Sequence, residues 1–376
     1  MKKTIFLSFF LFLIVFAGAC KKNNNDDDMM DDDDMVVVET TVAQDKQNIQ
    51  NTFTEALACV QTMKDGDLVN AFFRKFLNMS DGDVLNEDWI ENIFDELDNV
   101  ANIDVVDESG RFDIGLFAAT YAYNISSNTW TKNTNTTNKV LIQFPSSPTE
   151  ISNNAQITIE NYEDENVTVE GDNLWLPKKV NIAIDVDNEE VMSLSLNNVE
   201  YAQNADFEIP IAIDMSMNLS PFNMTFKVDR ITPTNFNVDM AMVGNGCNIG
   251  IDANIILENS EYENITGDAF GNALQSVTVE LQINELKIKS LTGLAELIQL
   301  ADSGDELSEN EINSILDIEV LFQDIKIGDL TYGGENNAYD DTFIITYKDN
   351  TSEDTFTYYE SFVQDMEDLI TEFWGE

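Results

Sequence analysis

The stretch that decides the fold reads as four consecutive segments: KKVNIAIDVD (178–187), EEVMSLSLNNVEYA (189–202), FEIPIAIDMSMNLS (207–220) and NMTFKVDRI (223–231). In each segment apolar residues alternate with polar ones, mostly Asn, Asp and Ser, which is the period of a strand with one apolar face. Polar loops separate the segments, and no helical pattern lies between them. The stretch therefore predicts antiparallel strands joined as hairpins and meanders, with an apolar face that needs a cover.

Helical patterns lie on both sides of the strand region. Apolar residues recur three and four apart within residues 45–78, and NEDWIENIFDEL (86–97) is a further helix that Asn86 can cap. Beyond the strands, SLTGLAELIQLAD (290–302) is helical, and Ser308 with Glu311 forms a capping box. The chain ends on an amphipathic helix predicted to cover the sheet, with its apolar face made of Tyr359, Phe362, Val363, Met366, Leu369, Ile370 and Phe373.

These patterns predict an α+β fold. We expect a large curved antiparallel β-sheet, meander or half-barrel-like, with N-terminal helices and a C-terminal amphipathic helix packing on it. The predicted organisation is a signal peptide (1–19), a cysteine and acidic tether (20–44), an N-terminal helical region (45–109) and a β-rich region with C-terminal helices (110–376).

The N-terminus has the pattern of an export signal. Lys2 and Lys3 precede the apolar run IFLSFFLFLIVFAGA, which is shorter than the roughly 20 residues of a transmembrane helix and ends in small residues before Cys20. Ala17-Gly18-Ala19 could be an ordinary secretory cleavage site. The same residues followed by Cys20 resemble a bacterial lipobox, although Ala17 stands where Leu is usual. We interpret Cys20 as the lipidated N-terminus of the mature chain, which links it to a membrane.

The segment after Cys20, KKNNNDDDMMDDDDM (21–35), places seven aspartates in nine positions. Charge repulsion and the lack of apolar mass predict a solvated tether. A spacer is the simplest role for it. The acid run also resembles the signal that sends Bacteroidota lipoproteins to the cell surface, so we expect an outer-membrane lipoprotein exposed at the surface, or otherwise one on the periplasmic face.

Further residues carry a loose family resemblance: Tyr121-Ala122-Tyr123-Asn124 before Trp130, then Ile142-Gln143-Phe144-Pro145 and NNAQITIENY (153–162). Together with the signal and tether, they resemble a group of uncharacterised envelope or surface lipoproteins of Bacteroidota. The resemblance implies an envelope location and no known activity. The plan of a curved sheet backed by helices also resembles that of envelope lipid carriers, as architecture alone.

Composition excludes several function classes. The formal net charge is −51, and loss of Lys2 and Lys3 takes it to −53, which excludes nucleic-acid binding driven by Lys and Arg. The chain has no histidine, so Ser-His-Asp and Cys-His catalysis and histidine-ligated metals are absent. We predict no cofactor, no metal site and no enzymatic activity.

Two cysteines remain after Cys20. Cys59 lies in a predicted helix and Cys247 near a predicted strand. An oxidising compartment permits a disulfide between them, while two buried free thiols are the favoured interpretation, because spacing alone does not show whether they meet.

Several motifs have both a functional and a structural interpretation. Trp130, Trp175 and Tyr123 could stack sugars or fill a core. The GNGCNIG glycines Gly244, Gly246 and Gly250 imitate a phosphate loop, but a hairpin turn explains them better. The segment 302–311 lacks the order of a calcium loop and is better explained by helix capping. Flexible thioethers suit an apolar ligand surface or ordinary core packing, and they occur in the predicted sheet at Met192, Met215, Met217, Met224, Met240 and Met242.

Taken together, these features predict a non-catalytic, membrane-anchored envelope lipoprotein with a binding or interaction role. An apolar ligand held between sheet and helices is the leading hypothesis for its partner. A surface glycan-binding accessory protein is the alternative, a carboxylate-based hydrolase comes third, and an envelope protein is a further candidate partner.

Overall fold

The computed structural model describes residues 40–61 and 111–360, the latter with gaps at 112, 135, 137, 148, 170, 204–209, 220–221, 245, 260–270, 304–306 and 334–341, as well as residues 97, 100 and 364. Cys20, the acidic tether and the apolar positions from Phe362 to Phe373 lie outside the described residues. The same holds for most of residues 62–109.

The described chain forms one open mixed sheet of 16 strands with a few helices, which confirms the α+β prediction. Adjacent strands of the sheet follow each other in the order β16, β15 and so on down to β3, and then β1 and β2. The strands are β1 Ala119–Asn124, β2 Thr129–Asn133, β3 Lys139–Phe144, β4 Ala155–Val169, β5 Asp172–Val186, β6 Glu189–Tyr201, β7 Pro210–Leu219, β8 Phe222–Thr232, β9 Asn235–Gly244, β10 Cys247–Leu257, β11 Leu274–Ile283, β12 Leu286–Thr292, β13 Asp317–Phe322, β14 Ile325–Tyr332, β15 Phe343–Tyr347 and β16 Ser352–Asp354.

Pairing is antiparallel throughout the strand pairs whose register is defined, except that β1 and β3 run parallel. The short β2 returns the chain after β1, so that β3 can enter alongside β1 in the same direction. Tight turns explain the meander: Asp187 and Asn188 join β5 to β6 with φ of 55° and 67°, and Gln323 and Asp324 join β13 to β14 with φ of 52° and 63°. Positive φ at both turn positions matches the right-handed twist of the strands.

Among the described residues, four helices accompany the sheet: α1 Val42–Gln61, α2 Ile114–Phe117, α3 Leu294–Ser303 and α4 Glu309–Ile315. A 3-10 turn spans Gly271–Ala273, and residues 356–360 are helical. The capping box predicted at the start of α4 is confirmed, because the Ser308 side chain accepts from the Glu311 amide while the Glu311 carboxylate accepts from the Ser308 amide. Asp113 caps α2.

The chain divides between Asp229 and Arg230, inside β8, into two compact units. The β1–β8 unit holds α2, and the β9–β16 unit holds α1, α3 and α4. In the β9–β16 unit, α1 lies on one sheet face: Ile49 of α1 shares a buried cluster with Leu286, Val320, Ile327 and Ile345 of β12 to β15. In the β1–β8 unit, the buried cluster lies at the β1–β4 end and includes Leu97, Phe117, Tyr121, Trp130 and Phe144.

Candidate functional site

The methionine face is the apolar side of β5 to β8 in the β1–β8 unit. Residues paired across adjacent antiparallel strands lie on the same side of a sheet. Ile182 pairs with Leu194, Leu194 with Met217, and Met217 with Met224, which gives one apolar row across four strands. The full face consists of Val180, Ile182 and Ile184 on β5, Met192, Leu194, Leu196 and Val199 on β6, Ile213, Met215, Met217 and Leu219 on β7, and Phe222, Met224, Phe226 and Val228 on β8.

Most of the methionine face is half-buried. Ile184, Val199 and Phe222 are the three buried members, with 3%, 4% and 1% of their surface exposed, and the other members are half-buried. The face continues toward β3 through Ile157 and Ile159, which pair with Ile184 and Ile182. There it joins the buried cluster beneath α2, where Phe117 and Leu97 pack. The covered and half-buried parts therefore belong to one apolar surface.

The opposite side of the same four strands is polar. Asn181 pairs with Ser195, Ser195 with Ser216, and Ser216 with Thr225. The alternating sequence of residues 178–231 therefore places apolar residues on one side of the sheet and polar residues on the other. It also leaves the methionine face without a titratable side chain, so the face offers dispersion contacts and water exclusion but no proton transfer.

Unbranched and branched apolar side chains are mixed on the methionine face, and four of its members are methionines. A thioether chain has several accessible rotamers and adapts to irregular apolar shapes. An alkyl group contributes about 0.8 kcal/mol for each CH₂ that it buries. The arrangement can therefore hold an apolar group by contact alone, without specific hydrogen bonds.

Carboxylates cluster at the turn between β5 and β6. Asp185 follows Ile184 and pairs with Glu190, so both lie on the side of the strands opposite the methionine face. Asp185, Asp187, Glu189 and Glu190 lie within six residues, and Asp185 stands directly opposite Glu190 in the β5–β6 pair. Glu190 accepts hydrogen bonds from Ser193 and Asn218, both at 2.8 Å. None of the four carboxylates forms an ion pair with a described residue.

The structure joins Cys59 and Cys247 in a disulfide, so the favoured interpretation of two buried free thiols is wrong. Both cysteines are buried, and the bond fixes the C-terminal end of α1 to the start of β10. No local pattern signals this pairing, because 188 positions separate the two cysteines. The bond belongs to the β9–β16 unit.

The three predicted aromatic residues do not form an exposed platform. Trp130 retains 6% of its surface and belongs to the buried cluster, with the Tyr123 ring edge-on at 5.3 Å. Trp175 is half-buried beneath the Arg111 guanidinium, which lies 4.4 Å from the ring centroid. Arg111 in turn donates two hydrogen bonds to Asp164, at 2.6 and 2.7 Å. Stacking a sugar on this set would require displacing these contacts.

The other predicted motifs are structural. Gly244 and Gly246 flank the β9–β10 turn, which confirms the predicted hairpin, and Gly250 lies inside β10. Ser308 and Glu311 cap α4, as described above. Of the six methionines, Met192, Met215, Met217 and Met224 lie on the methionine face, while Met240 and Met242 lie on β9 in the other unit.

A polar cluster that the sequence did not suggest lies at the N-terminal end of α1. Lys46 pairs with Glu353, whose carboxylate also accepts from Tyr358 and, at 2.6 Å, from Tyr347. Burial alone would raise the pKa of Glu353, but the bonds from Lys46 and the two tyrosines outweigh it and lower the pKa. Burial and the nearby carboxylate raise the pKa of Tyr358 to about 12 and raise that of Tyr347 further. The cluster holds α1 to β15 and β16.

Within the described part of the chain, no group of three or more Cys, Asp or Glu side chains is arranged to hold a metal ion. The same residues contain no helix with the length and apolar content needed to cross a membrane.

Comparison with family models, with curated proteins and with solved structures finds no match to this chain.

Proposed function

We propose that this chain is a non-catalytic lipoprotein of the bacterial cell envelope that binds an apolar ligand on the methionine face. Lipid on Cys20 would hold it to the outer membrane, with the acidic tether displaying the folded part at the cell surface. The family resemblance to Bacteroidota lipoproteins stays part of this proposal.

One observation carries the ligand proposal. The methionine face spans four strands without a polar interruption, yet nearly all of its side chains remain half-buried. Leaving large side chains only partly buried forgoes part of the roughly 1.5–3 kcal/mol that full burial of each one contributes. A ligand that completes the burial recovers that free energy. The buried Trp130 removes the corresponding support for glycan binding, so no second function is proposed.

Binding can be tested with the full chain carrying Cys20→Ser, which permits purification without detergent. Isothermal titration with dodecyl maltoside below its micelle concentration should show saturable binding. Affinity should fall about two- to fourfold for each CH₂ removed from the alkyl chain, since a fully buried CH₂ contributes about 0.8 kcal/mol. No saturable binding of any alkyl chain would overturn the proposal.

A matched pair of variants locates the site. Met217→Glu places a charge in the central row, whereas Ser216→Glu places the same charge on the opposite side of the same strand. We expect the first to weaken binding at least about tenfold and the second to leave it unchanged. Met217→Gln provides a neutral version if the first variant unfolds. If both Met217 variants unfold and the parent binds no probe, the face is covered by the chain's own residues.

The anchor has its own test. Cys20→Ser should abolish incorporation of radiolabelled palmitate. Protease added to whole cells should remove the wild-type protein, whereas protection until the outer membrane is ruptured would place it on the periplasmic face.

A further inference from the structure

We infer that this chain associates with a second copy of itself through β2, the strand at one end of the sheet, and that the two β2 strands pair antiparallel about a two-fold axis. This contact does not depend on the ligand proposed for the methionine face. Three features of the β1–β8 unit support it: an open strand edge, a stretch of sequence without acidic residues, and a strand sequence that complements itself.

The outer edge of β2 is open in the part of the chain that the structure describes. β1 pairs with one edge of β2, and no described strand lies along the other. Of the five residues of β2 only Trp130 is buried, while Thr129, Thr131, Lys132 and Asn133 are exposed. A strand in this position presents the backbone N–H and C=O groups of its outer edge to any strand that approaches.

The strand at the other end of the sheet is protected against pairing in ways that β2 is not. β16 has three residues, Ser352–Asp354, of which two are acidic, and short, charged edge strands resist pairing. Lys46 of α1 also binds Glu353 within it. The one charged residue of β2 is Lys132, whose ammonium lies 5.4 Å from the centre of the Tyr121 ring on β1. This contact draws the ammonium toward β1 and away from the outer edge of β2.

The sequence around β2 lacks the negative charge that the rest of the chain carries. Acidic residues occupy 70 of the 376 positions, yet none occurs from Ile114 to Thr149, which is the longest stretch of the chain without one. The stretch spans β1, β2 and β3 and contains Lys132 and Lys139. Two copies with a formal net charge of −51 each repel one another. An edge without carboxylates lets them approach with less repulsion than acidic surfaces allow.

The sequence of β2 fits an antiparallel copy of itself in one register. Residues opposite each other lie on the same side of the sheet, so the two-fold axis of such a pair passes beside one residue. With the axis at Thr131, that residue faces its own copy, Trp130 faces Lys132, and Thr129 faces Asn133. Threonine pairs across strands are favourable, and no lysine stands opposite another. An axis at Lys132 would place two like charges opposite each other, and an axis at Trp130 would draw the β1–β2 turn into the pair.

Self-association is measured by sedimentation equilibrium of the full chain carrying Cys20→Ser, at low and at physiological salt. A pair of five-residue strands is a small interface, so we expect a dimer with a dissociation constant of about 10–100 µM. The dimer should become more stable as salt is added, because screening reduces the repulsion between the two acidic copies. A chain that stays monomeric up to about 300 µM at physiological salt would overturn the inference.

A matched pair of cysteine variants, each made in the full chain carrying Cys20→Ser, tests the strand and its register. Thr131→Cys places the two new thiols opposite each other at the axis, with Cα atoms about 5 Å apart, which a disulfide can bridge. Thr129→Cys lies on the same exposed side of β2 but sets the two thiols about 13 Å apart along the strands. Under mild oxidation, Thr131→Cys should form a covalent dimer at least about tenfold faster than Thr129→Cys on a non-reducing gel. Equal rates would overturn the β2 contact.

A pair of charge variants tests the same contact without a cross-link. Thr131→Glu places two carboxylates opposite each other at the axis and should weaken association at least about fivefold. Thr232→Glu adds the same charge at an exposed position of β8 and should weaken it no more than about twofold. Thermal melts check that both variants fold, and if Thr131→Glu does not, the cysteine pair decides. Equal losses of association in the two variants would place the contact on another surface and overturn the inference.

Discussion

Two apolar sheet faces with the same alternating sequence pattern differ in how deeply their side chains are buried. In the β9–β16 unit, α1 covers the face, and Ile327 and Ile345 keep 1% of their surface each. On the methionine face, Met217 and its neighbours stay half-buried. The difference shows that strand periodicity decides which side is apolar, while the covering element decides whether that side becomes core.

The two faces also differ in side-chain type. Below α1, β-branched residues such as Val320, Ile327 and Ile345 prevail, and their stiff χ1 angles suit a fixed packing partner. The methionine face instead mixes Leu and Met with Ile, and thioether chains accommodate a partner whose shape varies. The two faces thus differ in side-chain type as well as in burial.

The attachment of α1 accounts for the covered face. A helix of 20 residues is about 30 Å long, and seven adjacent strands span about 29 Å between the first and last, so α1 is long enough to reach from β16 to β10. Lys46 binds Glu353 of β16 near one end, and Cys59 is joined to Cys247 of β10 near the other. Between them, Glu55 accepts from Asn284 in the β11–β12 turn, at 3.2 Å.

The largest difference between the units should come from alanine at two glycines with positive φ. At Gly293, with φ of 87°, a Cβ would come within 1.9 Å of the Ile315 carbonyl oxygen. The backbone must move to relieve that contact, so we expect Gly293→Ala to cost more than about 4 kcal/mol or to prevent folding.

Gly171 is the matched control in the β1–β8 unit, because its φ is 90° and a Cβ there meets nothing within 4 Å. Gly171→Ala should cost only the roughly 1–2 kcal/mol of a left-handed backbone. Urea unfolding measures both variants. Equal losses would mean that backbone conformation, and not enclosure by α4, sets the cost at Gly293.

Truncation of one side chain on each face is the next test. Ile327→Ala removes a fully buried side chain below α1 and should cost about 2–5 kcal/mol. Met217→Ala, on the half-buried face, should cost less than about 1.5 kcal/mol without ligand. A loss at Met217 as large as that at Ile327 would show that the methionine face is an ordinary core.

The disulfide should stabilise the covered face selectively. In the full chain carrying Cys20→Ser, additional Cys59→Ser and Cys247→Ser changes should cost about 2–4 kcal/mol, because the bond restricts a long loop of the unfolded chain. Native-state hydrogen exchange should show the loss of protection on α1 and β10, with β5 to β7 retaining theirs. Uniform loss in both units would contradict a local role. Reductant added to the parent should reproduce the result.

Some of this organisation is readable from local sequence and some is not. Asp187-Asn188, the alternating segments around them and the Ser308–Glu311 cap are short-range features, so the strands, their apolar side and this cap were predictable. The parallel pairing of β1 with β3, the bond from Cys59 to Cys247 and the pairing of Lys46 with Glu353 join distant positions. Such pairs have no periodicity, and composition does not identify their partners. The apolar rows of the candidate site were therefore foreseeable, but their partial burial was not.

The smallest expected effect concerns the polar cluster that holds α1, and it appears only at high pH. The pKa of Tyr358 is raised to about 12 by burial and by Glu353, whereas an unfolded tyrosine has a pKa of about 10. Because the folded state favours the protonated phenol, its contribution is fully present below about pH 10 and is lost as the pH rises toward 12. Tyr358 is partly exposed, so solvent screening keeps the effect small.

Between pH 9 and 11, the melting temperature of the Tyr358→Phe variant should fall less than that of wild type. The melting temperature of Tyr123→Phe, a variant in the other unit, should fall as much as that of wild type. Parallel pH profiles for wild type and both variants would show that ionisation of Tyr358 is not linked to unfolding.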